Sequence, residues 1–547
     1  MQASSVPQWK YQRQFVHAEG VSTTTRRPSL FDVGPPKALS AGQIASFLAN
    51  GYLVLNTDLP ASFHEMMFDR FGELIGEDND YNPGNNLLPV VPELNRVFQD
   101  GVVRGALTSI LGRDYMMHPH RVLHDNPPGS SAQVWHHDSY WGYKRKVHNH
   151  RPWWVMIMYY PQKIYDEIGP TGVIPGSQCI AQRLGDIDQL GKAASGPAGT
   201  CMLIHYDIWH RKMKNLTNFK RYMVKFEFTR MAPPQSGEFQ LDGTPWHRPA
   251  DAPAYDIEPM WREQWYWLAS RAPDKSAKPG GDVLPGLIVA LGSSDASERG
   301  VAARRIAEFG GAARDAIAPL IARLDDASEP VALNAAYALA AIGKEATPHL
   351  VEAMRGNDGE NVDDARVFID EGQNSEVEMV ARNAAHALVA IGPDAVPMLL
   401  DCARHSGARV RKYAAFALGE ISTNETEVIR TLAECTQDPD AYVRISAVEA
   451  LGLKRATPES VNALIRSLGD VDDEVRFNAA LALARLGPGA AAAVPALTDA
   501  LTDGNRYVVG YAIEALERLG TPEALSTLVP FLKIARSCPL TSNRSLF

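Results

Sequence analysis

The sequence HDNPPGSSAQVWHHD, residues 124–138, joins a Pro-Pro-Gly turn to a strand-like run that ends in the triplet His-x-Asp. Side chains of a strand alternate between its two faces, so His136 and Asp138 share one face and His137 points away from them. An imidazole and a carboxylate therefore converge. With one further histidine they would form the 2-His-1-carboxylate set that holds Fe(II) and leaves coordination positions open.

Two histidines downstream can complete this set. His210 lies 72 residues after Asp138, and His205 lies five residues before His210, in the strand-like run CMLIHY. Arg221 follows His210 by eleven residues and could form a bidentate, charge-assisted pair with a carboxylate. The other basic residues that could take this role are Arg211, Lys212, Lys214 and Lys220.

The residues around these motifs form short apolar runs separated by turn-forming residues. The runs YLVLN (52–56), WWVMIMYY (153–160) and YMVKFEFTR (222–230) are rich in β-branched and aromatic residues, which indicates an antiparallel sheet system. Ahead of the first run, Ser40 and Gln43 have the spacing of a capping box, which predicts a helix that ends near Asn50.

Four segments, in this order, resemble the phytanoyl-CoA dioxygenase family of Fe(II)/2-oxoglutarate oxygenases. They are LSAGQIASFLANGYLVL (39–55), HDNPPGSSAQVWHHD (124–138), EIGPTGVIPGSQ (167–178) and WHRKMKNLTNFKR (209–221). The resemblance implies an N-terminal double-stranded β-helix, a cupin-like jelly roll, with flanking helices. It implies that His136, Asp138 and His210 bind the iron and that Arg221 binds the distal carboxylate of 2-oxoglutarate, with O2 as the third reactant.

This resemblance leads to the prediction of an Fe(II)- and 2-oxoglutarate-dependent dioxygenase that hydroxylates a small-molecule or carrier-bound substrate. Arg211 and Lys212 stand where many members have Gly-Ser, and Met158 stands where an aromatic residue is common, so no substrate is implied. The alternative is a non-catalytic scaffold in which the barrel is inert and the C-terminal half binds a protein. The intact triad and Arg221 argue against this alternative.

Further residues could line the substrate pocket. Residues 139–154, SYWGYKRKVHNHRPWW, follow the triplet and are either a lid over the metal or a solvated loop. In that loop the aromatic Tyr140, Trp141 and Tyr143 could line the pocket, and the basic Lys144, Arg145 and Lys146 could meet an anionic substrate. On the preceding strand, one of the alternating His118, His120 and His124 either points into the site or makes ordinary polar contacts.

The C-terminal half repeats itself. Segments such as NAAYALAAIG, NAAHALVAIG and NAALALARLG begin at residues 334, 383 and 478, and successive Ala-Leu pairs are 49, 30, 33, 32 and 33 residues apart. Four spacings near 32 indicate a unit of two helices, and the long one contains an acidic insertion around residues 359–375. Because neither helix can bury its apolar face alone, the units should stack into an all-α solenoid. The Val-Arg pairs after Asp-rich turns resemble HEAT-like repeats of phycobilisome lyases.

We therefore expect a multidomain chain. The predicted parts are an N-terminal extension (1–38), the dioxygenase domain (39–270), a linker (271–284), the HEAT-like solenoid (285–535) and a C-terminal tail (536–547). The linker is rich in Pro, Gly, Lys and Ser, so the solenoid is expected to be separable from the barrel near Pro279.

Composition narrows the function classes. The net charge of −10 is carried by the C-terminal half, where 25 Lys and Arg stand against 37 Asp and Glu after residue 280. An acidic half disfavours nucleic acid and favours a basic protein partner or self-association through the repeats. Five dispersed cysteines form neither a disulfide framework nor a zinc site. No apolar run is long enough for a membrane span and no secretion signal is apparent, so we expect a cytoplasmic protein.

Overall fold

The computed structural model describes residues 34–76, 83–138, 147–181, 188–235, 241, 243–253, 255–272, 283–356 and 376–537. Several sequence predictions fall outside these residues. They concern the N-terminal extension up to residue 33, the aromatic and basic residues 139–146, residues 273–282 of the linker, the acidic insertion 357–375 and the tail from residue 538.

Helices and strands alternate in the N-terminal half. Its helices are α1 (Ala41–Asn50), α2 (Ala61–Ile75), α3 (Leu87–Val90), α4 (Asn95–Gln99), α5 (Gly101–Leu111) and α6 (Glu258–Leu268). Its strands are β1 (Tyr52–Asn56), β2 (Tyr115–Asn126), β3 (Trp154–Tyr159), β4 (Thr171–Val173), β5 (Lys192–Ala193), β6 (Thr200–His205), β7 (His210–Lys212) and β8 (Arg221–Arg230).

The first helix begins where the capping box predicts. Ser40 Oγ accepts from the backbone N–H of Gln43, and the Gln43 side chain accepts from the backbone N–H of Ser40. The helix ends at Gly51, whose φ of 76° lies in the left-handed region that favours glycine. A Cβ at Gly51 would also collide with the Gln178 side chain, so glycine lets the start of β1 pack closely there.

Two antiparallel sheets form the body of this half. The larger has the strand order β1-β6-β3-β8-β2, and the smaller has the order β5-β4-β7. Strands β3, β6 and β8 are buried along their whole length, which requires that both faces of the larger sheet be covered. Near one face, Phe98 of α4 packs 4.2 Å from the Phe226 ring of β8. This half is the sheet-rich, jelly-roll type of domain that the sequence predicts.

The C-terminal half is helical throughout the described residues. Its helices are α7 (Leu284–Ala290), α8 (Ala296–Ala307), α9 (Ile317–Ile321), α10 (Glu329–Ile342), α11 (Thr347–Arg355), α12 (Glu376–Ile391), α13 (Val396–Cys402), α14 (Ala408–Glu420), α15 (Thr426–Cys435), α16 (Ala441–Gly452), α17 (Pro458–Ser467), α18 (Asp473–Leu486), α19 (Val494–Ala500), α20 (Arg506–Leu519) and α21 (Pro522–Ser537). The even-numbered helices from α8 to α20 stack on one another as one row, and the odd-numbered helices form a second row. The predicted all-α solenoid is confirmed.

Small residues and repeated ion pairs hold the units together. Gly419 of α14 faces Ala450 of α16 so closely that a Cβ at residue 419 would collide with it. Four arginines, on α8, α14, α16 and α18, each bind both carboxylate oxygens of an aspartate in the following turn. These pairs are Arg299–Asp326, Arg411–Asp438, Arg444–Asp470 and Arg476–Asp503. Each aspartate also accepts a backbone N–H two residues later, so the Val-Arg pairs of the sequence brace successive turns.

The row of even-numbered helices, here called the first-helix row, packs on the N-terminal half. The buried Arg151 side chain donates to Glu420 of α14 at 3.1 Å and to Glu263 of α6 at 2.7 Å. His150 stacks on His386 of α12 with ring centroids 3.6 Å apart. Apolar residues of both halves belong to one continuous hydrophobic core. This shared core makes the separability expected at the linker unfavourable, because cutting there would expose buried charges and apolar surface.

One stretch within the described residues, Asp473–Ala500, has the length and hydropathy of a membrane-spanning helix. It consists of α18, a 3-10 segment and α19, and the backbone leaves helical geometry at Ala490. More than half of its apolar window, 56%, is buried inside the protein. Its hydropathy is that of a helix pair in the solenoid core.

Candidate metal centre

The three side chains predicted as ligands meet in the N-terminal half. His136, Asp138 and His210 each offer one ligand atom, and these atoms all lie within 4.8 Å of one another. The His136 Nε2 atom is 4.0 Å from Asp138 Oδ1, and the His210 Nε2 atom is 3.5 Å from Asp138 Oδ2. Atoms at such separations can share one metal ion at bonds of about 2.0–2.2 Å.

Backbone pairing sets this arrangement. The N–H of His136 donates to the carbonyl of His210 at 3.1 Å, and the N–H of His210 donates back at 3.0 Å. The regular strand predicted around residues 134–138 is wrong, since only this isolated bridge forms. The next backbone bond between these segments runs from the N–H of Gln133 to the carbonyl of Lys212, one residue out of register with this bridge, so no regular ladder continues. The alternation of side chains nevertheless places His136 and Asp138 together.

Both imidazoles are oriented for metal binding. His136 Nδ1 lies 2.9 Å from the carbonyl of Val134, and His210 Nδ1 lies 3.0 Å from the carbonyl of Ile208. A carbonyl accepts only, so each Nδ1 carries a proton and Nε2 is the ring nitrogen left to bind a metal. Burial lowers the pKa of His210 to about 4, so this ring is neutral near pH 7.

A buried lysine holds the carboxylate. Lys225 Nζ donates to Asp138 Oδ2 at 2.7 Å, and both residues are at most 5% exposed. Burial raises the pKa of Asp138, but the ammonium of Lys225 and the ring of His210 outweigh burial and bring the pKa well below its usual range. Asp138 is therefore an ionised carboxylate at neutral pH, the form that binds a metal.

Arg221 lies in the same cavity with an unused donor. It is 1% exposed, and its Nε and Nη2 atoms donate to the carbonyl of Gly169 at 3.1 and 3.0 Å. Its Nη1 atom is buried and has no hydrogen-bond partner among the described residues. Leaving a charged donor unpaired is costly, so this atom marks the place of a missing acceptor such as a carboxylate.

The triad and Arg221 line one cavity of about 400 Å³. It lies between the two sheets, because residues of β2 and β8 form one wall and residues of β4 and β7 form the other. Its remaining polar lining is His120, His124, Asp125, Gln133, Thr171, Arg211, Lys212 and Lys225. Of the three alternating histidines on β2, His120 and His124 therefore reach the site. Burial lowers the pKa of His124 to about 3, so its imidazole is neutral.

The competing histidines lie outside the triad. His137 Nδ1 bonds to the carbonyl of Asp207, and its ring packs on Trp209 at 4.1 Å. His205 Nδ1 accepts from the backbone N–H of Asp207 at 3.2 Å. Both rings thus belong to a buried cluster around Asp207 and not to the group that could share a metal.

Sequence reasoning missed the residues that support Asp138. Lys225 and Glu227 appear in the sequence only as charges within a strand-like run. One feature of the sequence could have indicated them. Arg221, Lys225 and Glu227 are charged and lie on the same face of an otherwise apolar strand, β8, that is fully buried. Ionisable side chains on the buried face of a strand need partners, and here Lys225 pairs with Asp138 and Glu227.

Residues 50–223 match the family model of phytanoyl-CoA dioxygenase (PhyH). The N-terminal domain belongs to the phytanoyl-CoA dioxygenase family. The match includes all three members of the triad and Arg221. Residues 284–368, 365–451 and 429–510 match the model of HEAT repeats. The chain thus combines a PhyH-family domain with HEAT repeats, as its motifs predict.

Several solved structures are similar to part of this chain. EctD from S. alaskensis with 2-oxoglutarate and 5-hydroxyectoine is 18% identical, with a TM-score of 0.30 over 45% of this chain and 93% of that chain. HygX from Streptomyces hygroscopicus with nickel and 2-oxoglutarate is 15% identical, with a TM-score of 0.28 over 35% and 87%. The ThoJ–Ni complex, a non-heme monooxygenase, is 16% identical, with a TM-score of 0.29 over 42% and 96%. No curated protein matches the chain.

Proposed function

We propose that this protein is an Fe(II)- and 2-oxoglutarate-dependent dioxygenase that hydroxylates a small-molecule or carrier-bound substrate. One observation carries the proposal. Two imidazole Nε2 atoms and one ionised carboxylate converge within 4.8 Å, and the unpaired Nη1 of Arg221 lies in the same cavity. The first group suits a divalent metal, and the second suits an anionic co-substrate.

The residues present fit both groups. His136, Asp138 and His210 would hold the iron, and Arg221 would bind the distal carboxylate of 2-oxoglutarate. When bound, iron with 2-oxoglutarate and O2 supplies the oxidising chemistry. The chain supplies a buried wall of β3, β6 and β8 behind these ligands, with the cavity in front for the two organic molecules.

The cavity also contributes polar groups toward a substrate. Lys212 and Arg211 lie beside His210 on β7, and Arg211 is held by Asp188 at 2.8 Å and by the face of Trp135 at 4.3 Å. Lys212 is half-buried and lines the cavity. An anionic group on the substrate would suit this edge of the cavity.

A protein partner of the HEAT repeats is a further part of the proposal. The first-helix row faces the dioxygenase domain, so the second row, from α9 to α21, offers the surface for a partner or a second copy. The charge excess of the C-terminal half favours a basic surface on that partner.

The test is metal-dependent turnover of 2-oxoglutarate by the full chain. Purified protein is loaded anaerobically with Fe(II), and succinate release is measured after O2 is admitted. Asp138→Ala and His210→Ala should abolish succinate release and lower the bound iron, because each removes one of three ligands.

His137→Ala is the matched control, since His137 is adjacent in sequence but lies outside the triad. It should retain most of the iron and the succinate release. The proposal would be contradicted if Asp138→Ala released succinate as fast as wild type, or if wild type bound no iron.

A further inference from the structure

A chain of buried ionisable groups extends from the candidate metal centre to the solenoid. Lys225 Nζ lies 2.7 Å from Asp138 Oδ2 and 3.7 Å from Glu227 Oε1. Glu227 Oε2 lies 3.1 Å from His118 Nδ1, a nitrogen that also accepts the backbone N–H of His120 at 3.0 Å, and both of these side chains are fully buried. Each member of the chain therefore has a charged or polar neighbour on either side.

The lysine restricts the rotation of the Asp138 carboxylate. Oδ2 is engaged by Lys225 at 2.7 Å, while Oδ1 faces His136 Nε2 at 4.0 Å. A carboxylate with no such partner can rotate about its Cβ–Cγ bond, which has a broad, two-fold profile. Groups that hydrogen-bond a ligand side chain in this way fix its orientation toward the metal.

The solenoid closes the far end of this chain. Two tyrosines of α20 contact His118 of β2. The ring of Tyr507 is stacked on the His118 ring with centroids 5.4 Å apart, and the centroid of the Tyr511 ring is 5.2 Å from it. Tyr507 OH is also 3.1 Å from His120 Nδ1. A Cβ at Gly510 would collide with Pro119, so glycine allows α20 to approach β2 this closely. The last repeat thereby keeps water away from Glu227 and Lys225.

We propose that Lys225 is a positioning residue that holds Asp138 in its metal-binding orientation, and that Glu227, His118 and the last HEAT repeat hold Lys225 in place. The inference rests on the proposed function only in taking Asp138 as a ligand. It gives the solenoid a role in the metal site, which its repeats alone do not predict.

The sign of one measurement separates positioning from simple electrostatics. Lys225→Met removes a positive charge beside a divalent cation, so at a pH where Asp138 is ionised in both proteins Coulomb repulsion alone predicts tighter metal binding. Loss of orientation predicts weaker binding, about 10–100-fold, which is typical when a group supporting a metal ligand is removed. We expect the weaker binding.

The experiment titrates Co(II) into the full-length chain and follows its visible absorption, which reports both affinity and coordination. Lys225→Met alone leaves Glu227 without its cation, so the double variant Lys225→Met/Glu227→Gln restores the balance of buried charge. Both variants should bind Co(II) more weakly than wild type and with an altered spectrum.

Lys412→Met is the matched control. Lys412 is a 3% exposed lysine of the solenoid whose Nζ lies 2.7 Å from Glu378, so its loss breaks a similar buried ion pair away from the site. This variant should lower the thermal stability but keep the Co(II) affinity and spectrum of wild type.

Unchanged or tighter Co(II) binding by folded Lys225→Met and by the double variant would overturn the inference. So would an equal loss of affinity in Lys412→Met, because the effect would then follow stability alone. No Co(II) binding by wild type would instead contradict the proposed metal site itself.

Discussion

Glu420 joins the two halves of the chain, and its removal should destabilise both together. This glutamate of α14 is 8% exposed and accepts from three side chains of residues 149–153. The donors are Asn149 Nδ2 at 2.7 Å, Arg151 Nη1 at 3.1 Å and Trp153 Nε1 at 3.2 Å. The proposed perturbation is Glu420→Ala.

The expected loss follows from what stays behind in the interface. Breaking a buried ion pair by removing one partner costs about 3–5 kcal/mol, because the remaining charge is buried and under-compensated. Glu263 still neutralises Arg151 in part, at 2.7 Å, which lowers the cost. The amide of Asn149 and the indole N–H of Trp153 also lose their acceptor, and this loss adds to the cost. We expect a loss of about 4 kcal/mol in the free energy of unfolding.

The assay is urea unfolding followed by two probes. Tryptophan fluorescence reports the N-terminal half, because all ten tryptophans lie there, and far-ultraviolet circular dichroism reports mainly the helices of the solenoid. Both transitions should shift to lower urea by the same amount, because the halves share one core. The control is Glu427→Ala, whose side chain is 38% exposed and pairs with Arg404 and Arg430, and it should leave both transitions close to those of wild type.

Two results would refute this reasoning. A loss below about 1 kcal/mol for Glu420→Ala would mean that the interface contributes little to stability. A shift of the fluorescence transition without a shift of the dichroism transition would mean that the halves unfold independently.

Three further predictions concern the co-substrate, pH and the solenoid. Arg221→Lys should raise the KM for 2-oxoglutarate by roughly a hundredfold, since a bidentate charged pair is worth up to about 3 kcal/mol, while Co(II) affinity stays unchanged. An unaltered KM would direct attention to Arg211 or Lys212. Burial and Glu517 raise the pKa of Glu514 to about 7, so its proton stabilises the folded state below about pH 4.5, and this contribution is lost as pH rises to about 7. As the pH rises from 4.5 to 8, the free energy of unfolding of Glu514→Gln, measured with urea, should therefore increase by about 2 kcal/mol relative to wild type. This figure is reduced because the side chain is partly exposed. A difference between the two proteins that does not change with pH would contradict the prediction. A chain that ends at Lys278 should be insoluble or lack iron, because it exposes the surface that α10 to α20 cover. A soluble truncated chain with full succinate release would instead show that the solenoid is separable from the barrel, as the sequence predicts.

The sequence determined the features that depend on near neighbours along the chain. The period of two in a strand placed His136 and Asp138 together and excluded His137, even though only an isolated bridge forms. The capping box at Ser40 set the start of α1, and the recurring Ala-Leu pairs set the two-helix unit of the solenoid. These patterns are local because a helix or strand fixes the direction of each side chain relative to its neighbours.

The tertiary structure decided which distant residues share a contact. Lys225 reaches Asp138 across 87 residues, and Arg151 reaches Glu420 across 269 residues. The sequence presents these residues only as charges, because no local pattern records the partner that a folded chain brings beside them. The repeats likewise predicted only that their units stack into a solenoid, whereas packing places the row of even-numbered helices on the N-terminal half. Burial of a charge requires a partner, and only the packed fold determines which residue that partner is.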